Sequence, residues 1–186
     1  LEYDGRGNLI AESYPSEGRT IKHVYNINDQ IIQTKESVGD FERSAQYTYD
    51  ILGRKISSAD RCGHTTQFEY DSFGRITKVI HPSVINEIDQ FVCPTFTYEY
   101  DIFGNVVSII DPQGYLTRKT YNLRGMPTRI FYPDGTVERF KYDAEGSLHR
   151  SFSRDQKVTI YEYDYLGRRI YQETATVSRD GFPNLF

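Results

Sequence analysis

The sequence predicts an all-β protein, an array of antiparallel β-hairpins with about sixteen strands that forms a curved, spiralling sheet. Three features of its 186 residues predict this fold. A tyrosine followed by Asp or Asn recurs along the chain, a second turn signal lies between successive copies, and the residues between turns alternate between apolar and polar. The eight repeat tyrosines are Tyr3, Tyr25, Tyr49, Tyr70, Tyr100, Tyr121, Tyr142 and Tyr163.

The repeat tyrosines are spaced 22, 24, 21, 30, 21, 21 and 21 residues apart, which gives a basic period of 21 residues. A period of this size is typical of one supersecondary unit that is stacked on copies of itself. No linker or break in composition divides the array, so residues 1–186 are interpreted as a single domain of eight repeats. Because Leu1 lies inside a repeat, we expect the chain to be a fragment of a longer polypeptide.

Each copy predicts a tight turn after the tyrosine. In the segment 49–54, Asp50 suits the first corner of a type I turn, and Gly53 suits the positive φ that follows it. Such a turn is a common hairpin connection. The second copy has Asp29 in the glycine position. The turn residues of the copies that keep both Asp and Gly include Asp50, Gly53, Asp71, Gly74, Asp101, Gly104, Asp143, Gly146, Asp164 and Gly167.

A second turn signal, about ten residues after the first, divides each repeat into two strands. Two turns per period leave strands of roughly six residues, which is the usual length of a strand and leaves no room for helices. The second-turn signals are Pro15–Gly18, Asp60–Gly63, His81–Pro82, Asp111–Gly114 and Pro133–Gly135.

The strands alternate at a period of two, as in Phe68-Glu69-Tyr70, which places aromatic side chains on one face and charged side chains on the other. We expect the repeat tyrosines and the aromatic residues two positions before them to stack into ladders across neighbouring strands. Each cross-strand pair would contribute about 0.2–1 kcal/mol. His23 occupies the same position as these aromatics and is interpreted as a replacement for a stacked ring.

The interval from Tyr70 to Tyr100 is nine residues longer than the period, and the excess lies at the second turn, in residues 82–90. Insertions at one rim of an array usually form exposed loops, and exposed loops often carry binding functions. The sequence therefore offers this segment as a possible recognition loop. Its candidate residues are Pro82, Asn86, Glu87, Asp89 and Gln90.

Composition argues against several classes of function. The net charge is −4, and Lys and Arg are scattered along the sequence, which predicts neither nucleic-acid binding nor membrane insertion. The histidines have no partner at metal or catalytic-triad spacing, and each repeated aspartate has a local role in its turn. We therefore predict no catalytic residue, no metal site, no cofactor and no enzymatic activity. Cys62 and Cys93 are compatible with two free thiols or with a disulfide across the rim.

The hexapeptide Tyr-Asp-x-x-Gly-Arg, complete at residues 49–54, 70–75 and 163–168, resembles the YD repeat of RHS (rearrangement hotspot) proteins. This family includes bacterial polymorphic toxins, shell components of insecticidal toxin complexes, and teneurins. The resemblance implies that the hairpins spiral into a segment of a hollow β-shell, which in the toxins encloses a cytotoxic C-terminal domain. It also implies a secreted or cell-surface setting, bacterial in the case of the toxins.

The family's toxins carry a self-cleaving core with an Asp-Pro-x-Gly-Leu motif. The segment 111–115 matches it in Asp, Pro and Gly, but Tyr115 replaces the Leu and the segment lies where an ordinary second turn is expected. We therefore predict no role in proteolysis for it. The tail, residues 180–186, does not match the motif either.

Two functions remain at this stage. The first is a structural, non-catalytic shell segment whose partners are the rest of the parent RHS polypeptide and an enclosed toxin or other cargo. The second is an adhesion module that binds a protein or glycan through the second-turn rim, as in teneurins. An open sheet would also leave edge strands near 3–10 and 168–174, which predicts edge-to-edge pairing between copies.

Overall fold

The structure is a computed structural model, and it describes residues 1–176. The last part of the predicted array and the tail at 180–186 lie outside the described residues. The described residues contain eighteen strands and one turn of 3₁₀ helix, Pro15–Glu17, which confirms the all-β prediction. The short helix arises because Pro15 fixes φ at its start and Gly18 ends it in the left-handed conformation, with φ of +58°.

Sixteen strands form one antiparallel sheet in which each strand pairs with its neighbours in sequence. Within residues 1–176 the strand order of this sheet begins at β1 and ends at β18, which do not pair with each other. Strands β9 and β10 leave this order and pair only with each other. No helix in residues 1–176 is long and apolar enough to cross a bilayer.

The chain divides into two compact units, which are residues 1–97 and residues 98–186. The first contains β1 (Glu2–Tyr3), β2 (Leu9–Tyr14), β3 (Arg19–Tyr25), β4 (Ile31–Val38), β5 (Phe41–Tyr49), β6 (Lys55–Ala59), β7 (Thr65–Tyr70), β8 (Ile76–Ile80), β9 (Val84–Ile85), β10 (Phe91–Val92) and the start of β11 (Thr95–Tyr100). The second contains the end of β11, then β12 (Val106–Ile110), β13 (Leu116–Tyr121), β14 (Pro127–Phe131), β15 (Val137–Tyr142), β16 (Leu148–Phe152), β17 (Lys157–Tyr163) and β18 (Arg169–Thr176).

First and second turns share one hydrogen-bond pattern. In a first turn, the Asp50 N–H donates to the Arg54 carbonyl at 2.9 Å and the Gly53 N–H donates to the Asp50 carbonyl at 3.0 Å. The second turn at Asp60 repeats both bonds. The Asp60 N–H donates to the His64 carbonyl, and the Gly63 N–H donates to the Asp60 carbonyl. A further turn of this kind, at residues 153–156, was not predicted, because Gln156 stands in place of glycine with a φ of +62°.

A β-bulge follows the first turn in seven repeats, a feature that the sequence analysis did not predict. Tyr49 lies opposite Lys55 and Thr48 lies opposite Ser57, so Ile56 has no partner across the ladder. A bulge bends its strand and increases the local twist. The same register shift occurs at Tyr3, Tyr25, Tyr70, Tyr121, Tyr142 and Tyr163.

The sheet has almost no fully buried core. Among the described residues, the only buried apolar side chains are those of Ala11 and Ala45, which are 6% and 8% exposed. Most other side chains of the strands are half-buried. The strands must therefore be held mainly by backbone ladders and by specific polar contacts between repeats.

The left-handed glycine of the first turn gives a test of this backbone geometry. Gly74 has a φ of +82°, and a Cβ added there would meet only the Arg54 Cδ, at an ordinary 3.9 Å. Gly74→Val should therefore destabilise the fold through backbone strain, by about 1–3 kcal/mol. The urea midpoint of the purified chain measures this loss.

The matched control is Gly5→Val. Gly5 occupies a turn corner that is not left-handed, and the equivalent position in the third repeat is Ile51. This control should leave the midpoint nearly unchanged. Equal midpoints for the two variants would contradict the turn assignment.

Candidate functional site

The repeated aspartates fix their own turns. Asp50 Oδ1 accepts the N–H groups of Leu52 and Arg54, both at 2.9 Å, and Arg54 Nε donates to Asp50 Oδ2 at 2.7 Å. Asp143 Oδ1 accepts the backbone N–H groups of Gly146 and Ser147. The pattern of Asp50 is repeated by the carboxylates of Asp4, Asp71, Asp101 and Asp164 and by the amides of Asn26, Asn86 and Asn122.

The residue that ends each of these turns is left-handed. The φ values of Gly53, Gly74, Gly104, Gly146 and Gly167 lie between 74° and 100°, and Asp29 takes the same conformation at 58°. Glycine reaches this region without a steric cost, and Asp tolerates it better than most residues. Asp, Asn and Gly thus have structural roles in the turns that they form.

The residue after the left-handed position connects one repeat to the next along the rim formed by the first turns. Arg54 Nη1 donates to the Asp71 carbonyl at 3.0 Å, and its guanidinium lies 4.8 Å from the centre of the Tyr70 ring. Gln30 Nε2 donates to the Gly53 carbonyl at 2.8 Å. These contacts link the first turns of the second and third repeats to the first turns of the repeats that follow them.

A second link between repeats comes from the repeat tyrosines. Tyr70 OH donates to the Lys55 carbonyl at 2.6 Å, and Lys55 is the residue that faces Tyr49 across the bulge of the preceding repeat. We call this bond the tyrosine latch. Among the described residues the same bond joins Tyr25 to Leu9, Tyr49 to Ile31, Tyr70 to Lys55, Tyr121 to Val106, Tyr142 to Pro127 and Tyr163 to Leu148, at 2.6 to 3.0 Å.

The predicted ladder of stacked rings is wrong for these six tyrosines, since no two of their rings are in contact. Successive repeat tyrosines lie two strands apart, a separation of about 9–10 Å that is too large for stacking. The cross-strand partners of Tyr47 and Phe140 are serines, Ser58 and Ser151. His23 contacts Tyr25 with its ring tilted, at 6.5 Å, and lies 3.1 Å from the Thr34 hydroxyl.

The segment 82–90, the predicted recognition loop, is part of a small hairpin. Strands β9 and β10 flank a turn in which the Asn86 N–H donates to the Gln90 carbonyl at 2.9 Å, and Asp89 is left-handed, with a φ of +57°. Glu87 lies in this exposed turn. Pro82 follows His81, whose N–H donates to the Pro94 carbonyl at 2.8 Å and so joins the two ends of the insertion. The insertion thus repeats the turn of residues 26–30.

One turn brings possible metal ligands together, contrary to the sequence analysis. The ligand atoms of Asp60, Cys62 and His64 all lie within 4.8 Å of one another, and the three residues are exposed. Neither the cysteines alone nor the histidines alone have metal-ligand spacing, so the group is visible only when Asp60, Cys62 and His64 are considered together. Three donors from one exposed turn would leave the fourth position around a tetrahedral ion to water. Cys62 and Cys93 are free thiols, so the disulfide alternative is not formed.

The first-turn carboxylates of Asp50, Asp101 and Asp164 are held in their charged form. Partial burial acts to raise the pKa of Asp50, but hydrogen bonds and the charge of Arg54 outweigh it and lower the pKa below its ordinary value. The Asn105 side chain lowers the pKa of Asp101, and the backbone N–H of Arg168 lowers that of Asp164. A general acid needs a raised pKa, so these aspartates are unsuited to that role at neutral pH.

The segment 111–115 is an ordinary second turn. Asp111 Oδ1 accepts the N–H groups of Gln113 and Tyr115, both at 2.9 Å, in the same way as the aspartates of the first turns. Its similarity to the self-cleavage motif is explained by the turn that it forms.

The tyrosine latch predicts a difference between two tyrosines of one strand. Tyr49→Phe removes the hydroxyl that donates to the Ile31 carbonyl at 2.9 Å, so the free energy of unfolding should fall by about 0.5–1.5 kcal/mol. Tyr47→Phe is the matched control, because Tyr47 is also half-buried in β5 and its hydroxyl has no hydrogen-bond partner in the described residues. Urea unfolding compares the two. Equal losses would show that the hydroxyl of Tyr49 has no special role.

The lowered pKa values predict loss of stability in acid. A carboxyl whose pKa is lower in the folded than in the unfolded chain stabilises the fold fully above the unfolded value, about 3.9, and this contribution is lost as the pH falls through the folded value. For Asp134, which accepts hydrogen bonds from Thr136, the folded pKa is about 2. The melting temperature should therefore fall between about pH 4 and pH 2.

The double variant Asp50→Asn/Asp71→Asn should keep both turns, because Asn26 and Asn122 form them naturally. It should lose less stability than the unmodified chain when the pH is lowered, since two of the titrating groups are gone. An identical pH profile would contradict the assigned role of these carboxylates.

Comparison with known proteins agrees with the fold. The Teneurin YD-shell family model matches residues 1–180. The chain is similar to the crystal structure of TcdB2-TccC3-TEV, with a TM-score of 0.77 and 15% identity over 95% of this chain and 10% of that chain. It is also similar to TcdB2-TccC3 without its hypervariable C-terminal region, with a TM-score of 0.74 and 14% identity over 92% of this chain and 10% of that one.

A structure of the Tc holotoxin pore from Photorhabdus luminescens gives a TM-score of 0.69 and 14% identity over 86% of this chain and 9% of that one. No curated protein matches the chain. The chain thus spans about a tenth of the length of these structures, and identities this low show a shared fold alone. The predicted resemblance to RHS and YD-repeat proteins is confirmed by the family match. This chain belongs to the Teneurin YD-shell family.

Proposed function

We propose that this chain is a non-catalytic segment of a YD-repeat shell that walls off a C-terminal toxin or other cargo in its parent polypeptide. The tyrosine latch carries this proposal, because the same bond joins one repeat to the next in both units. A unit that binds a copy of itself on each side is suited to building an extended wall. One of the similar structures is a Tc holotoxin pore, which supports the same role.

The burial pattern also supports a wall. With only Ala11 and Ala45 as buried apolar residues among those described, side chains on both faces of the strands stay accessible. An enzyme site usually needs a concave pocket with convergent polar groups and perturbed pKa values. The aspartates here are instead spread along the turns and remain charged.

The open edges suggest how the segment is extended. Strand β18 is exposed throughout, and β1 is only two residues long. In the parent polypeptide these edges would pair with further repeats. Separate copies of the chain would pair through the same edges, which light scattering would detect as a mass above that of a monomer. We place the shell outside the cell, secreted or at the cell surface.

A second candidate function is recognition by the small hairpin around residues 82–90. It exposes apolar side chains, with Ile88 and Phe91 being 70% and 75% exposed. Residues 82–93 can be replaced by Pro-Gln-Gly, the sequence of residues 112–114. The reason is that the His81 N–H donates to the Pro94 carbonyl just as the Asp111 N–H donates to the Tyr115 carbonyl. Loss of binding on a glycan or protein array after this exchange would favour recognition.

Limited proteolysis of the full-length parent tests enclosure. The domain downstream of the repeats should resist protease in the unmodified protein, and it should become cleavable when two latches are removed by Tyr49→Ala/Tyr70→Ala. Tyr165→Ala is the control, because Tyr165 is 92% exposed at a turn. Cleavage of the downstream domain in the unmodified protein, at the rate of the isolated domain, would refute the proposal.

A further inference from the structure

One face of the second unit carries a row of cations. Arg118, Arg129, Arg139 and Arg150 lie one on each of strands β13 to β16, spaced 11, 10 and 11 residues apart in sequence. These intervals are half of the repeat period, so each arginine follows the previous one by a single strand. Lys141 shares their face, two residues from Arg139.

The strand register places these cations side by side. Arg129 is directly opposite Arg139, and Lys141 is directly opposite Arg150. Residues directly opposite have Cβ atoms about 4.5–5.5 Å apart, and diagonal neighbours are about 7–8 Å apart. Arg118 is diagonal to Arg129, since Arg118 faces Phe131 and Thr120 faces Arg129. We call these five residues the basic face.

The charges of the basic face are not neutralised within the protein. Within residues 1–176, none of the five side chains forms an ion pair or a hydrogen bond, and Arg150 Nε is buried without a partner. In the first unit, by contrast, Glu36 pairs with Arg19 and Arg61, and Lys35 pairs with Glu42 at 3.2 Å. Like charges directly opposite each other destabilise a sheet, so the basic face is not explained by stability.

The interpretation of Lys and Arg as scattered is therefore wrong for this part of the chain. In the sequence these residues are separated by ten or eleven positions, but two strands per period and the antiparallel register bring them to one face. A search for charges at half the repeat period would have found them.

We propose that the basic face binds an acidic polypeptide segment. The arginine guanidinium matches a carboxylate with two parallel hydrogen bonds, which makes it suited to such a partner. Phe131, which is 36% exposed, and Phe152 lie on the same face between the arginines. A segment in which acidic and apolar residues alternate would contact both kinds of side chain.

The size and surroundings of the basic face favour a protein over a nucleic acid. The arginines span four neighbouring strands, about 15 Å. Asp143 lies at a first turn at one end of these strands, and at the other end Asp134 forms an ion pair with Arg154. A short acidic segment can place its charges within this span, whereas a nucleic-acid strand longer than the span would gain no further cations from the basic face. This inference is independent of the enclosure proposed above.

Binding of fluorescent poly-L-glutamate tests the proposal. Binding of a dT20 oligonucleotide is measured for comparison, as the nucleic-acid alternative. The variant Arg129→Gln/Arg139→Gln should weaken poly-L-glutamate binding by about tenfold or more, because two central cations are lost. The control Lys22→Gln/Arg43→Gln removes the same charge from exposed positions of the first unit and should change binding by less than about twofold. Binding should also weaken when the salt is raised from about 50 to 300 mM.

Three results would overturn the proposal: no binding of poly-L-glutamate by the unmodified chain, equal losses in the two variants, or tighter binding of dT20 than of poly-L-glutamate. The melting temperature provides a second measurement. It should rise by about 1–3 °C in Arg129→Gln/Arg139→Gln, because a like-charge pair is removed. A fall in melting temperature would show that these arginines support the sheet, which would also contradict the proposal.

Discussion

The hydrogen bond from the repeat tyrosine to the preceding repeat is the interaction on which the rest of the structure depends. The bulge disrupts the ladder next to residues such as Lys55, and the Tyr70 hydroxyl reaches that carbonyl at 2.6 Å. A polar backbone group that the ladder leaves unpaired is costly unless another group satisfies it. The bulge and the tyrosine therefore act together, and phenylalanine could not replace the tyrosine without loss of this hydrogen bond.

A sheet with so few buried apolar residues must be stabilised differently from a two-layer domain. The latches and the first-turn contacts, such as Arg54 with the Asp71 carbonyl, join hairpins locally and repeat along the chain. Each such bond is worth only about 1 kcal/mol, so stability accumulates from many similar junctions. This arrangement suits a wall that grows by adding repeats, and it leaves side chains on the strand faces free to differ. The basic face in the second unit is one such difference.

Much of the fold could be predicted from the sequence because its signals are local. Asp50 and Gly53 specify a turn through their own backbone preferences, and the 21-residue period sets the hairpins in order. The bulge could not be predicted, since the unpaired position holds Ile56, Thr77 or His149 and has no shared chemistry. The ring ladder was wrong because the register, not the ring type, decides which side chains meet. The basic face was missed for the same reason.

The most direct test of this account is amide hydrogen exchange of Tyr142→Phe compared with the unmodified chain. The Tyr142 hydroxyl donates to the Pro127 carbonyl, which joins β15 to the start of β14 in the preceding repeat. The account predicts faster exchange on both sides of this junction, in residues 127–131 and in residues 137–142. Faster exchange confined to the strand of Tyr142, or no change at all, would show that the tyrosines do not join the repeats.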